Sequence, residues 1–186
     1  MKRNLICFMI ALMAISMAFV ACKKDDKEDS GYVIEVKNVQ YTSDDINYVE
    51  AQLASKVLDD SKYADGDFKL NLPETVSNDL LHNGSINGAF GWIDIFAFNK
   101  EKKVIGEFSY QDGSKNVRAY YTYANNDFKF EYTNEYQSGE ETKKNIWNCT
   151  FEKGWNIMYA EIKGNETMLT TQKPSGVSLK WYFFPY

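Results

Sequence analysis

The feature that most constrains the fold of this chain is an alternation of apolar and polar residues that recurs along residues 31–186. Alternation carried by aromatic and β-branched side chains is typical of strands that bury one face. The segments are separated by short turns, a spacing typical of sandwiches and barrels. We therefore expect an all-β fold, an antiparallel β-sandwich, with a calycin-like β-barrel as the alternative for the C-terminal half. The alternating segments are residues 32–36, 68–72, 104–110, 116–123, 128–132, 146–151, 155–162 and 177–184.

Residues 46–58 fit two kinds of secondary structure. The alternation of Val49, Ala51 and Leu53 favours a strand over residues 48–54. A helix behind a cap at residues 43–45 is the alternative, because apolar residues also recur there at spacings of three or four. That apolar set is Ile46, Val49, Leu53 and Val57.

The stretch after this segment carries a recognisable motif. Asp65-Gly66 is followed by Phe68, Leu70 and Leu72-Pro73. This pattern resembles the dGxFxLxLP stretch of prealbumin-like and carboxypeptidase-regulatory-like β-sandwich modules. The resemblance implies that a strand precedes the motif and that Asp-Gly forms the turn into the next strand.

The domain organisation follows from the absence of a Pro-rich or Ser-rich linker in residues 31–186. We expect one β-rich domain over that range. The alternative is a division near residues 75–90, because the sequence of residues 83–88, Asn-Gly-Ser-Ile-Asn-Gly, is typical of a loop.

The N-terminus has the pattern of a secretory signal, since Lys2 and Arg3 precede a short apolar run over residues 5–21. Ala21-Cys22 resembles the cleavage site of bacterial lipoproteins, although Phe19 stands where that family prefers leucine. The resemblance implies removal of residues 1–21 and lipidation of Cys22 by several acyl chains, which hold a protein stably at a membrane. The alternative is an uncleaved membrane anchor, because about 17 apolar residues reach the lower limit of a transmembrane span.

Residues 22–30 form the expected tether. Seven of the eight residues after Cys22 are charged and none is apolar, so the segment cannot contribute to a core. Cys22 followed by Lys24-Asp25-Asp26 resembles the acidic export signal of surface lipoproteins in Bacteroidetes-type bacteria. With the tyrosine-rich β body, the whole chain resembles that group of lipoproteins. The resemblance implies display on the outer face of the outer membrane and no specific activity.

The charge balance restricts the possible partners. Loss of Lys2 and Arg3 with the signal lowers the basic count from 21 to 19 against 26 acidic residues, a net charge of about −7. Nucleic-acid binding requires a basic surface, so we expect no nucleic-acid partner. The expected contact with the membrane is through the lipid anchor.

The few residues suited to metal or thiol chemistry do not form a motif. Cys149 remains without a disulfide partner once Cys7 is removed and Cys22 is lipidated, and its apolar neighbours predict a buried, inert thiol. The lone His82 cannot build a zinc site. The acids of residues 59–67 do not fit an EF-hand loop, because Leu72 stands where the last oxygen ligand is required. We expect no metal and no cofactor.

The aromatic residues are the strongest candidates for ligand contact. Consecutive rings point to opposite faces of a strand, so one ring of each pair can be exposed to stack on a sugar or to anchor an interface. Burial on both faces is the alternative. The candidate ligand-stacking residues are Tyr120, Tyr121, Trp155, Trp181 and Tyr182.

These observations favour a non-enzymatic binding or interaction domain displayed at the cell surface, with a glycan, a host protein or an envelope partner as its ligand. We expect no catalytic residues. One alternative is an enzyme acting on polysaccharide or peptide, which would require carboxylates such as Glu107, Glu131 and Glu161 to converge in one cleft. The other alternative is a structural subunit of an envelope assembly.

Overall fold

The computed structural model describes residues 31–85 and 87–186, and nearly all regular structure in these ranges is β-strand. One short 3₁₀ helix spans Asn78–Leu80. No helix in the described ranges is long and apolar enough to cross a bilayer. The first seven strands are β1 (Val33–Val36), β2 (Tyr48–Leu53), β3 (Lys56–Lys62), β4 (Phe68–Asn71), β5 (His82–Ser85), β6 (Gly88–Trp92) and β7 (Asp94–Phe98). The remaining strands are β8 (Val104–Asp112), β9 (Val117–Ala124), β10 (Phe128–Ser138), β11 (Glu141–Phe151), β12 (Gly154–Lys163), β13 (Glu166–Thr170) and β14 (Lys180–Pro185).

The strands assemble into a large sheet of twelve and a small sheet of two. The large sheet has the order β10-β11-β13-β12-β9-β8-β7-β2-β3, with β14 beside β8 and the β5–β6 hairpin beside β9. β1 and β4 pair to form the small sheet. The expected antiparallel pairing is present at every pair of named strands except one, since β11 and β13 run parallel.

Apolar burial between the two sheets confirms the predicted β-sandwich. Ile34 and Leu70 of the small sheet are buried against Val49, Ile95 and neighbouring residues of the large sheet. We call the side of the large sheet that meets β1 and β4 the core face, and its opposite side the far face. A second apolar cluster covers part of the far face where the β10–β11 hairpin meets β6; its buried members are Phe90, Ala124, Phe128, Cys149, Phe151, Met158, Ala160 and Leu169.

The barrel alternative for the C-terminal half is wrong. Within the described residues the large sheet does not close, because β10 and β3 lie at opposite ends of its strand order. The longest strands of that half, β10 and β11, form a hairpin at the open end.

The helix alternative for residues 46–58 is also wrong, and β2 extends over nearly all of the predicted strand. A tight turn at Ala54 and Ser55, which both have positive φ angles, connects β2 to β3. The apolar residues at helical spacing do not belong to one element of secondary structure. Ile46 precedes β2, whereas Val57 lies on β3 and is 46% exposed.

The Asp65-Gly66 pair forms the turn into β4, as the motif implied. Asp65 and Gly66 have φ angles of 53° and 92°, a conformation that glycine adopts without strain. Ala64 and Asp67 close the turn through reciprocal backbone hydrogen bonds of 3.0 and 2.8 Å.

Candidate functional site

The large sheet divides where the β8–β9 hairpin opens. These two strands pair only near their turn, from Tyr110–Ala119 to Asp112–Val117. Farther along, β8 pairs with β7 and β9 pairs with β6. β6 continues into β7 through Ile93, whose backbone N–H donates to the Tyr121 carbonyl at 3.0 Å.

A cleft of about 280 Å³ occupies this division, and we call it the fork cleft. Tyr121 and Trp181, whose rings belong to the core face, also border it. Alternation along the strands places a mixed set of far-face side chains around the opening. That set is Trp92, Asp94, Glu107, Ser109, Arg118 and Tyr120.

Two acidic residues line the fork cleft, Asp94 on β7 and Glu107 on β8. Although Asp94 is exposed overall, partial desolvation of its carboxyl raises its pKa, and the negative charge of Glu107 raises it further. Glu107 accepts a 3.3 Å hydrogen bond from the Tyr186 hydroxyl. In the described ranges, the Arg118 guanidinium forms no ion pair with either carboxylate within 4 Å. Acids, a cation and polar groups are therefore all available to a ligand.

The aromatic residues Trp92 and Tyr120 of the cleft pack against other side chains of the far face. Trp92 lies beside the His82 ring at a centroid distance of 5.3 Å. Trp92 and Tyr120 are half-buried, and both pack against the apolar cluster on the far face. Packing fixes their orientation while part of each side chain remains exposed.

Three of the predicted aromatic candidates belong to the core. Trp181 stacks on Tyr121 with ring planes 7° apart and centroids 6.2 Å apart. Tyr32 contacts both Tyr121 and Trp155. The Trp155 indole N–H donates to the Pro73 carbonyl at 2.8 Å. These side chains hold the two sheets together.

The remaining two candidates lie on the far face, and only one of them borders the fork cleft. Tyr120 lines the cleft. Tyr182 is half-buried on β14, where its ring lies 5.9 Å from Tyr41 and 6.4 Å from Phe184. Trp92 and Asp94 also line the cleft and are not among the residues predicted from the sequence. The signal that could have identified them is the row of even positions from 90 to 98, which are aromatic except for Asp94.

The predicted carboxylates do not converge as a group. Only Glu107 lies in the cleft. Glu131 pairs with Lys129 on β10 at 2.6 Å, and Glu161 pairs with Lys163 on β12 at 3.0 Å.

The thiol and the acidic residues considered for thiol or metal chemistry are buried or bonded to the backbone. Cys149 has no exposed surface, and burial raises the pKa of its thiol to about 11. The Asp59 and Asp67 carboxylates accept backbone hydrogen bonds from Asn71 and Asn38. Residues 31–85 and 87–186 contain no cluster of three side chains suited to metal binding. Cys22 lies outside the described residues.

Comparison with known proteins gives no match to a family model, to a curated protein or to a solved structure.

Proposed function

We propose that the protein is a lipid-anchored cell-surface module that binds a neutral carbohydrate in the fork cleft. The observation that carries this proposal is the combination of two half-buried rings, Trp92 and Tyr120, with acidic, hydroxyl and guanidinium groups around one opening. Rings suit the apolar faces of sugars, and fixed polar groups suit their hydroxyls. Residues 31–186 form the binding body, and residues 22–30 tether it to the membrane through Cys22.

The size and charge of the cleft narrow the class of ligand. About 280 Å³ lies just below the usual range for small-molecule sites, which suits a short sugar segment at the end or side of a glycan. The acids Asp94 and Glu107 and the net charge of about −7 disfavour a polyanionic glycan.

Binding of the full chain to an array of neutral glycans tests this function. Trp92→Ala and Tyr120→Ala each remove one ring from the cleft, and we expect the affinity to fall roughly tenfold or more, as for a central contact residue. The matched control is Tyr182→Ala, which removes a half-buried tyrosine elsewhere on the far face and should leave the affinity within about twofold. Equal losses in all three variants, or no glycan bound by the parent protein, would refute the proposal.

The presence of both Asp94 and Glu107 in the fork cleft favours a glycoside hydrolase as the second candidate. A carboxyl group with a raised pKa beside a second carboxylate is the arrangement that a general acid and its partner require. Release of reducing ends from a bound neutral polysaccharide would be the positive result. Under this hypothesis, Asp94→Asn abolishes release while the glycan stays bound; an inert parent protein that binds the same glycan excludes it.

A further inference from the structure

The strand β10 forms a long, regular edge of the large sheet. It ends the strand order and, in the described ranges, pairs only with β11. All eleven of its residues follow one register without a bulge, and the strand contains no proline. Such an edge presents a free row of backbone N–H and C=O groups to a further strand.

The edge at the other end of the sheet is protected. β3 carries Lys56, Asp60 and Lys62, and its pairing with β2 contains a register shift. The Asp59 carboxylate also accepts a hydrogen bond from Asn71 of β4, which lies beside it. Charged side chains, bulges and a covering strand all discourage pairing at an edge. β10 has charged side chains, but within the described residues it has neither a bulge nor a strand that covers its outer edge.

The turn between β10 and β11 determines which backbone groups of β10 are free. A two-residue turn at Gly139 and Glu140 joins the strands, and Gly139 has a φ of 67°. Ser138 and Glu141 therefore form the hydrogen-bonded closing pair. Hydrogen-bonded and non-hydrogen-bonded pairs alternate from there, so the odd-numbered residues of β10 direct their N–H and C=O groups outward.

We propose that β10 pairs antiparallel with β10 of a second copy of this chain, about a two-fold axis through Tyr132. This register places Lys129 opposite Glu135 of the second copy, twice by symmetry. On the far face, it places Tyr132 opposite Tyr132 of the second copy and Phe128 opposite Tyr136. Tyr132 and Tyr136 are 54% and 43% exposed in the single chain, and the second copy would bury part of both side chains.

Charge selects this register over the one with complete overlap. An axis through Thr133 would align all of β10 but would place Glu131 opposite Glu135 of the second copy, and directly opposed like charges destabilise a sheet. Moving the axis to Tyr132 replaces those two repulsions with two Lys129–Glu135 attractions, in which each Lys129 is shared with Glu131 of its own chain. Glu135 has no ion-pair partner within 4 Å in residues 31–85 and 87–186, so its carboxylate is available to a second copy.

Symmetry gives the assembly a defined geometry. A two-fold axis perpendicular to the sheet leaves both far faces on the same side. Both fork clefts would then open in one direction, as a bivalent surface facing away from both core layers. The pairing itself does not depend on what the cleft binds.

Cysteine cross-linking in the full chain on intact cells tests the register. Opposed non-hydrogen-bonded residues have Cβ atoms about 4.5–5.5 Å apart, close to disulfide geometry, so Tyr132→Cys should give a covalent dimer under mild oxidation. Asn134→Cys is the matched control on the same face, because its two copies would lie about 14 Å apart at roughly 3.4 Å per residue. No dimer with Tyr132→Cys, or equal dimer with Asn134→Cys, would overturn the proposal.

Charge reversal provides the second test, with the dissociation constant of the full chain measured by sedimentation in mild detergent. Lys129→Glu and Glu135→Lys should each weaken dimerisation roughly ten- to a hundredfold, and the double variant should return to within about threefold of the parent. Lys62→Glu on β3 is the control and should have no effect. Weakening by the single changes without recovery in the double variant would reject this register. None of these residues lines the fork cleft, so failure here leaves the carbohydrate proposal standing.

Discussion

Replacement of Trp181 by alanine distinguishes a core residue from a ligand-binding residue. Trp181 is 9% exposed, stacks on Tyr110 at 4.9 Å and meets the edge of Phe68 at 6.0 Å. Phe68 belongs to the small sheet, so the indole connects the two layers of the sandwich. We expect Trp181→Ala to destabilise the fold, because it removes packing between the two sheets.

The magnitude follows from the buried surface. A large aromatic side chain buries about 150–250 Å², which corresponds to about 4–6 kcal/mol at 25 cal/mol per Å². Partial relaxation around the cavity brings the expected loss to about 3–5 kcal/mol, the usual range for removal of a buried ring. For a domain of this size, the melting temperature should fall by about 6–20 °C.

Urea denaturation followed by far-UV circular dichroism measures this loss without relying on tryptophan fluorescence. Tyr182→Ala is the matched control, because Tyr182 is the next residue on β14 but points to the far face and is only half-buried. Its loss should remain within about 1 kcal/mol. A Trp181→Ala protein within 1 kcal/mol of the parent, or a control that is equally unstable, would refute the assignment of Trp181 to the core.

Three further predictions concern other parts of the chain. The pKa of Asp112 is lowered by hydrogen bonds from Ser114 and Ser178, so its stabilising contribution is complete above the unfolded pKa near 3.9 and is lost as pH falls through the folded value. Thermal melts should show a deficit for Asp112→Asn at pH 7 that shrinks below about pH 4; a constant deficit would contradict this. Gly106→Ala should lower the urea midpoint, because the new Cβ would meet the Phe184 carbonyl oxygen at 2.3 Å, whereas Gly113→Ala has open space around it and should not. Cys22→Ala should move the protein from the membrane fraction to the soluble fraction, and continued sedimentation with membranes would argue against lipidation.

The strands that could be predicted from sequence are those with one buried and one exposed face. In β1, Ile34 and Val36 are buried while Val33 and Glu35 are exposed, so the alternation is visible. In β6 nearly every residue is buried, and in β3 none is fully buried. Neither environment produces alternation, so both strands were missed.

The candidate site was harder to predict because it depends on strand partners rather than on local sequence. Tyr120 and Tyr121 have the same chemistry and adjacent positions, and both border the fork cleft, yet the Tyr120 ring lies on the far face whereas the Tyr121 ring packs between the sheets. Alternation establishes that they point to opposite faces. Which face is covered by β1 and β4 is decided by long-range pairing, which no local pattern specifies.

The fork cleft itself results from competition for two strand edges. β8 and β9 pair with each other only near their turn. Beyond that point the continuous segment β6–β7 lies between them: β6 pairs with β9 before Ile93, and β7 pairs with β8 after it. Trp92 and Asp94 flank Ile93, where the chain passes from β9 to β8. The change of strand partner that opens the sheet therefore also places an aromatic ring and a carboxylate at the opening. A substitution that disturbs the crossing at Ile93 should therefore affect strand pairing and ligand binding together, whereas Trp92→Ala should affect binding with little loss of pairing.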